Sequence, residues 1–424
     1  LIAGVFSKTL NKIINYIIVI LLAALIFVIY FNFTSSVTLF GNSYTIDPLS
    51  NFMKILVLIS VLFTMLISNT YLERLKIAKF EYPIILLLST LGMFVMISAN
   101  NLIVFYLGLE LQSLCLYVLA AINTKSLKSS EAGLKYFVLG SLSSGLLLYG
   151  CSLVYGFTGS VDYSAIAKVA SEQSGALKFG LVFILCGIAF KISAVPFHMW
   201  APDVYEGAPT QVTAIMSTLA KVAAMASFFK LITILNSQML YSYTQVIVVV
   251  VIATMLFGNV MALRQKKIKR VIAYSGISHT GFMLLTLLNI NAAENNLLFY
   301  AASYAIAGLA AFSVILFVTK NEDNDFIDNF NGLGKKHPLM AFIMTIALLS
   351  MAGIPILAGF FAKFFLLNQI ITSGFIGLAI VAIINSMIAV YYYFKIVIAM
   401  YTKEPTYGKE YANHSEYYIV GIVA

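Results

Sequence analysis

Six ionisable side chains interrupt the apolar runs of this sequence. Lys135, Lys191, Lys221, Lys363 and Lys395 fall inside such runs, and so does Glu110, alone among the seventeen Asp and Glu residues. A charge held in hydrocarbon costs roughly 2.5–3.5 kcal/mol on insertion scales, and groups kept there mark ion and proton paths. Burial favours the neutral form of an amine or a carboxyl group, whereas an opposite charge favours the ionised form. At an effective dielectric near 20, a charge about 4 Å away is worth about 4 kcal/mol, or roughly three pKa units. Moving Glu110 toward or away from a lysine therefore switches that lysine between ammonium and amine near neutral pH. A row of such lysines can hand protons along.

The competing reading is that a long stem carries the amine to an interface. It suits Lys135, near the start of its run in EAGLKYFVLG, and Lys395 in YYYFKIVIAM. Lys191, Lys221 and Lys363 lie deeper, and the short arm of Glu110 cannot escape. His198, two residues past Pro196, and His279 in AYSGISHTGFML are candidate relays, because imidazole titrates near neutrality. The run Tyr391 to Tyr393 reads as packing or an aromatic belt.

The backbone that carries these groups is broken twice. In Gly180 to Thr210, GLVFILCGIAFKISAVPFHMWAPDVYEGAPT, Lys191 is followed five residues later by Pro196. That proline removes an amide donor and frees the carbonyl of Ile192. In Ser350 to Leu366, Gly353, Pro355 and Gly359 precede Lys363. Freed backbone groups are tolerated at membrane depth only inside protein or against a wet cavity. Matching interruptions in two halves of a transporter point to an ion site and an internal repeat. The lysine precedes the proline in one half and follows it in the other.

The elements that must position these residues are membrane helices. The 424 residues are 61% hydrophobic and 10% charged, with mean hydropathy +0.94. That balance excludes a soluble domain and specifies an all-α polytopic membrane protein. Spans are predicted near 12–32, 51–70, 82–100, 102–121, 132–157, 177–206 (broken), 209–230, 244–263, 271–290, 296–319, 339–372 (broken) and 375–401. End fragments at Leu1–Phe6 and Tyr417–Ala424 bring the total to about 14, with the first and last helices incomplete. The chain divides into N-terminal helices (1–81), one unit of helices four to eight (82–235), a second of helices nine to thirteen (243–402), and a C-terminal loop with the start of a last helix (403–424).

Lys and Arg concentrate in the connections after odd-numbered spans: Lys8 and Lys12; Arg74, Lys76 and Lys79; Lys125 and Lys128; Arg264, Lys266, Lys267, Lys269 and Arg270; Lys320, Lys335 and Lys336; Lys403 and Lys409. The other side carries Lys54, Lys168, Lys178 and Lys230. The odd connections are therefore cytoplasmic. One fits poorly, since 201–209 holds Asp203 and Glu206 and no base. The net charge of +9 reflects these loops rather than nucleic-acid binding. Cys115, Cys151 and Cys186 sit in apolar runs without a CxxC or Cys/His pair, which argues against disulfides, iron–sulfur clusters and zinc. No Gly-rich nucleotide loop follows a strand pattern, so NAD, flavin and ATP find no place in this chain.

Taken together, LGLELQSLCLYVL, EAGLKYFVLGS, KISAVPFHMWAPDVYEGAPT, STLAKVA, LRQKKIKRVIAYSGISHTG and AGIPILAGFFAKF resemble the subunit N family of proton-pumping NADH:quinone oxidoreductase, respiratory complex I. The resemblance runs over nearly the whole chain. It implies an antiporter-like subunit of fourteen helices, built from two inverted five-helix repeats with helices seven and twelve broken, that contributes one proton channel. It also implies roles: Lys191 as central carrier tuned by Glu110, Lys135 and Lys221 in the same path, and Lys363 in the outward half-channel. NADH, FMN, iron–sulfur clusters and quinone then belong to other subunits. The partners are other membrane-arm subunits, antiporter-like ones among them. The many charged loops point to a bacterial inner (cytoplasmic) membrane rather than a mitochondrial one.

Three other readings compete. A subunit of a multisubunit cation/proton antiporter or membrane-bound hydrogenase shares the broken-helix plan, but PDVYEGAP after Trp200 favours subunit N. A solute carrier using Glu110 and the lysines to bind an anion predicts uptake by the chain alone. A structural spacer predicts unaltered activity once the buried lysines are removed.

Overall fold

The computed structural model describes residues 8–75, 77, 79–170, 175–234, 237–290, 293–319, 324–405, 411–412 and 414–424. Leu1–Phe6 and the loop bases Lys76, Lys320 and Lys409 lie outside the described residues. Helices dominate. In chain order they are α1 (Lys8–Phe31), α2 (Pro48–Arg74), α3 (Glu81–Ile97), α4 (Leu102–Ala120), α5 (Leu127–Thr158), α6 (Tyr163–Ala170), α7 (Gly175–Lys191), α8 (Trp200–Gly207) and α9 (Thr210–Ser217). There follow α10 (Leu219–Ile234), α11 (Ser237–Leu263), α12 (Ile268–Leu284), α13 (Ala293–Val318), α14 (Pro338–Ala352), α15 (Ala358–Thr372), α16 (Ile376–Thr402) and α17 (Ser415–Val423). An antiparallel hairpin, β1 (Val37–Leu39) with β2 (Tyr44–Ile46), pairs Val37 with Ile46 between α1 and α2. The all-α expectation did not include it.

Among the described residues nine helical stretches are long and apolar enough to cross a membrane, and α3, α14 and α15 are apolar but shorter. The two expected broken spans fall on helix pairs, 177–206 on α7 with α8 and 339–372 on α14 with α15. The span near 209–230, expected as one helix, is interrupted at Thr218 into α9 and α10. No proline or glycine marks that interruption. The Thr218 hydroxyl instead donates to the Ala214 carbonyl at 2.6 Å, the side-chain competition that bends helices.

Helix ends follow local chemistry. Asp47 and Ser50 form a reciprocal cap on α2, with Pro48 in its first turn. Asn101 closes the tight α3–α4 turn by accepting from the Val104 amide at 2.7 Å. Gly353 ends α14 at φ +86°, a conformation costly to any residue with a Cβ.

The helices meet through small residues, as membrane bundles do. A Cβ added to Gly92 of α3 would lie 2.8 Å from the Gly108 carbonyl of α4, and one on Gly258 of α11 would lie 2.8 Å from the Tyr274 carbonyl of α12. The α9–α10 stretch is buried all round and α12 nearly so, whereas α1 is mostly exposed. The centre of the molecule is therefore the α9–α10 pair, with α12 and α13 beside it.

Candidate functional site

Lys191 is the last residue of α7, at the break rather than within the helix. Ser193 follows at φ +60° and helix resumes at Trp200. The Ile192 carbonyl, predicted to be freed, accepts from Thr280 Oγ1 of α12 at 2.8 Å. The Val195 amide donates to Thr254 Oγ1 of α11 at 3.1 Å. Trp200 Nε1 donates to the Phe190 carbonyl at 2.9 Å, and its ring stacks on Tyr136 with centroids 4.4 Å apart. The break is thus closed by side chains from three other helices and by its own tryptophan.

The Lys191 side chain is only 8% exposed. Its ammonium donates to Ser113 Oγ at 2.6 Å and to the Tyr117 hydroxyl at 3.1 Å, both on α4. Glu110, Ser113 and Tyr117 stand at i, i+3 and i+7, which places them on one helical face. The Glu110 carboxylate accepts from the Ser144 hydroxyl of α5. Among the described residues Glu110 enters no ion pair, and Ser113, one turn further along α4, takes the lysine.

Lys221 is 1% exposed, and its Nζ has no hydrogen-bond partner in the protein. It lies 5.7 Å from the Tyr205 ring centroid. Gly276 of α12 leaves it room, since a Cβ there would lie 3.1 Å from the ammonium. An ammonium buried without an acceptor costs several kcal/mol. The nearby interruption is sealed by hydroxyls: Tyr205 donates to the Met216 carbonyl at 3.0 Å and Tyr304 to that of Ser217 at 2.9 Å.

His279 and Lys363 form the far end of the site. His279 Nδ1 lies 2.7 Å from the Tyr300 hydroxyl, and Nε2 lies 3.4 Å from that of Tyr393. Lys363, 5% exposed, donates to the carbonyls of Met351 at 3.0 Å and Ala352 at 2.8 Å. His279, Tyr300, Tyr304, Ser350, Met351 and Lys363 line a cavity of about 10 Å³, room for roughly one water.

Three expected residues lie elsewhere. Lys135 is not buried: its side chain is 43% exposed and pairs with Glu131 at 2.8 Å and Asp203 at 3.1 Å. Its long stem reaches an open cleft of about 190 Å³ lined also by Lys128 and Glu206. Lys395 is exposed on α16. His198 is buried with its ring 4.3 Å from that of Phe257, and Nδ1 has no partner in the protein.

The acids that offended the charge rule have their counterions. Arg270 reaches Asp203 and Glu206 at 2.9 Å each, and Lys267 reaches Glu206 at 2.6 Å. Burial alone would raise the Glu206 carboxyl, but hydrogen bonds from Lys267 and Arg270 outweigh it and hold the group below its ordinary value. Asp203 is lowered likewise, burial being outweighed by Arg270 and Lys135.

Sequence reading missed two features. Lys54 and Lys230, placed at span ends, are buried; Lys230 pairs with Asp47 at 2.9 Å, and Lys54 lies 5.1 Å from the Tyr44 ring centroid. It also missed the hydroxyls. Tyr393, read as packing or belt, is fully buried beside His279, while its neighbour Tyr391 is exposed and Tyr392 donates to Asn259 Oδ1 at 3.0 Å. The spacing of Tyr300 and Tyr304, four residues apart on one helical face, was the available signal.

The family described as NADH:quinone oxidoreductase/Mrp antiporter, TM matches residues 99–389. A relative from Flavobacterium psychrophilum named NADH-quinone oxidoreductase subunit N is 51% identical over 367 residues, covering 86% of this chain and 81% of its own length. A chain of respiratory complex I from Thermus thermophilus is similar in structure, with TM-score 0.85, 29% identity and coverage of 97% of this chain and 91% of that one. A chain of the Mrp complex from Dietzia gives TM-score 0.85 at 25% identity, covering 95% and 78%.

Proposed function

This chain belongs to the NADH:quinone oxidoreductase/Mrp antiporter transmembrane family, and from that premise we propose how it works. It is a proton-translocating subunit in the membrane arm of NADH:quinone oxidoreductase, and its partners are other membrane-arm subunits. It carries out no redox step itself. NADH, FMN, the iron–sulfur clusters and quinone are held by other subunits, and the assembly sits in a bacterial inner membrane.

Protons move through Lys191, Lys221, His279 and Lys363, with Glu110 setting the charge state of Lys191. The observation that carries this reading is the 2.6 Å contact of Lys191 with Ser113, one helical turn from Glu110. Moving either charge changes the balance between ammonium and amine, and an approach to about 4 Å is worth about 4 kcal/mol at an effective dielectric near 20. Lys135 belongs to the cytoplasmic mouth, in the charged cleft with Asp203 and Glu206.

The fourteen-helix, inverted-repeat plan, with repeats at 82–235 and 243–402, is part of the same proposal. Two parallels support it. The first two helices of each unit cross through glycine, at Gly92 with Gly108 and at Gly258. Each unit also places a buried lysine at the break of its fourth helix.

The test is pumping by the reconstituted complex. Replacing Glu110 or Lys191 by Ala is expected to abolish proton translocation while assembly survives; normal pumping by both variants would overturn the reading. The likeness to the Mrp complex chain supports a second reading, a subunit of a cation/proton antiporter. Co-purification with antiporter subunits instead of NADH-oxidising ones would favour it.

A further inference from the structure

Two threonines of the second half-molecule close the α7–α8 break, and their chemistry is complementary. Thr254 donates its only hydroxyl proton to the Val250 carbonyl of its own helix at 2.6 Å, which leaves a lone pair for the Val195 amide. Thr280 does the reverse and donates to the Ile192 carbonyl. One threonine therefore binds the freed N–H and the other the freed C=O, on either side of Ser193. Both are buried. Ile192 is covalently next to Lys191, and Thr280 is covalently next to His279.

The Thr280 hydroxyl has a second acceptor, the Gly276 carbonyl, at 3.0 Å. A hydroxyl has one proton, so it bonds the α7 break or its own helix, not both fully. Gly276 is also the residue that makes room for Lys221. A single turn of α12, Gly276 to Thr280, thus touches the Lys191 break and Lys221 and carries His279.

We propose that Thr254 and Thr280 are positioning residues for proton transfer, fixing the end of α7 so that the Lys191 ammonium faces Ser113 and Tyr117, with Thr280 linking that position to the turn that holds His279. The proposal rests on the lysine row reading above. A merely structural hydrogen bond would change how much complex assembles. A positioning bond changes where the ammonium sits relative to Ser113, Tyr117 and Glu110, the polar and titratable groups that α4 turns toward it. It therefore alters the pH profile of pumping.

The experiment measures protons pumped per NADH oxidised, from pH 6 to 9, for the assembled complex in vesicles. Thr280→Val keeps the shape and removes the hydroxyl, and pumping is expected to fall about five- to tenfold with a displaced pH profile. Thr280→Ser is expected to restore both. Should Thr280→Val fail to assemble, Thr254→Val, which removes the acceptor of the Val195 amide, is read in the same way. Wild-type pumping and pH profile in an assembled valine variant overturn the proposal, as does a loss that Thr280→Ser leaves uncorrected. Lys191→Ala separates the two readings: normal pumping there sinks the lysine row, whereas a dead Lys191→Ala beside a normal Thr280→Val sinks the threonines alone.

Discussion

Lys363 donates to the carbonyl of Ala352 at 2.8 Å, so an ammonium from the second half of one broken helix caps the end of the first half. Lys191 reaches the same kind of place differently, as the last residue of α7. The sequence shows the lysine before the proline in one unit and after it in the other. Both lysines sit at a break; the Lys191 amine turns to Ser113 and Tyr117 of α4, whereas the Lys363 amine reaches the C-terminal end of a half-helix. That end carries partial negative charge and favours a cation by about 0.3–1 kcal/mol, more when partly buried.

Gly353 links this geometry to a first prediction. It lies at φ +86°, and a Cβ there would sit 2.9 Å from Lys363 Cδ. Gly353→Ala is expected to cost about 1–2 kcal/mol from the left-handed backbone alone. It should also push Lys363 off the Ala352 carbonyl and lower pumping. Thermal unfolding of the purified complex and dye-quench pumping in vesicles measure the two effects; no change in either would refute this account of the break.

The two tyrosines at His279 are not equivalent. Tyr300 lies 2.7 Å from Nδ1, whereas Tyr393 lies 3.4 Å from Nε2. Hydrogen bonds weaken over that interval. Tyr300→Phe is expected to reduce pumping about fivefold, the effect of losing a bond worth roughly 1 kcal/mol, and Tyr393→Phe by much less. An equal loss in both, measured as protons per NADH, would contradict this ranking.

Membrane class, the two proline-marked breaks and the burial of Lys191, Lys221 and Lys363 were legible in the sequence, because proline, glycine and charge inside apolar runs each carry a fixed physical cost. Lys135 was not, since a side chain with four methylenes leaves open which way its amine points. Neither was the interruption at Thr218, where a hydroxyl and two tyrosines from other elements do what proline does elsewhere. The partners of the row escaped for the same reason. Ser113, Thr280 and Tyr300 look like ordinary residues of apolar helices, and only the packing shows that they meet an ammonium, a freed carbonyl and an imidazole.

Ser113 stands between Lys191 and the α4 backbone, accepting from the lysine while donating to the Leu109 carbonyl at 2.5 Å. Ser113→Ala removes that acceptor from a buried ammonium and leaves Tyr117. Loss of a bond to a charged group is worth about 1.5–3 kcal/mol, so pumping should fall by about tenfold or more. Ser113→Thr, which keeps the hydroxyl, should retain most of it. Pumping by the alanine variant equal to wild type would show that Ser113 does not hold the lysine during turnover.

Glu206 supplies a pH-dependent prediction away from the row. Its carboxyl is lowered in the folded protein, burial being outweighed by Lys267 and Arg270. The folded state therefore takes up this proton only at lower pH than the unfolded chain. The resulting stability is complete above the unfolded value, near 4.3, and is lost as pH falls through the folded one. Glu206→Gln should lower stability at pH 7 by about 1–2 kcal/mol, because Lys267 and Arg270 then donate to a neutral amide instead of a carboxylate. The gap between variant and wild type should stay constant from pH 7 down to about 5 and close below about 4. Thermal unfolding of the detergent-purified complex across that range measures it, and a gap that widens on acidification would mean that Glu206 is not held ionised by Lys267 and Arg270.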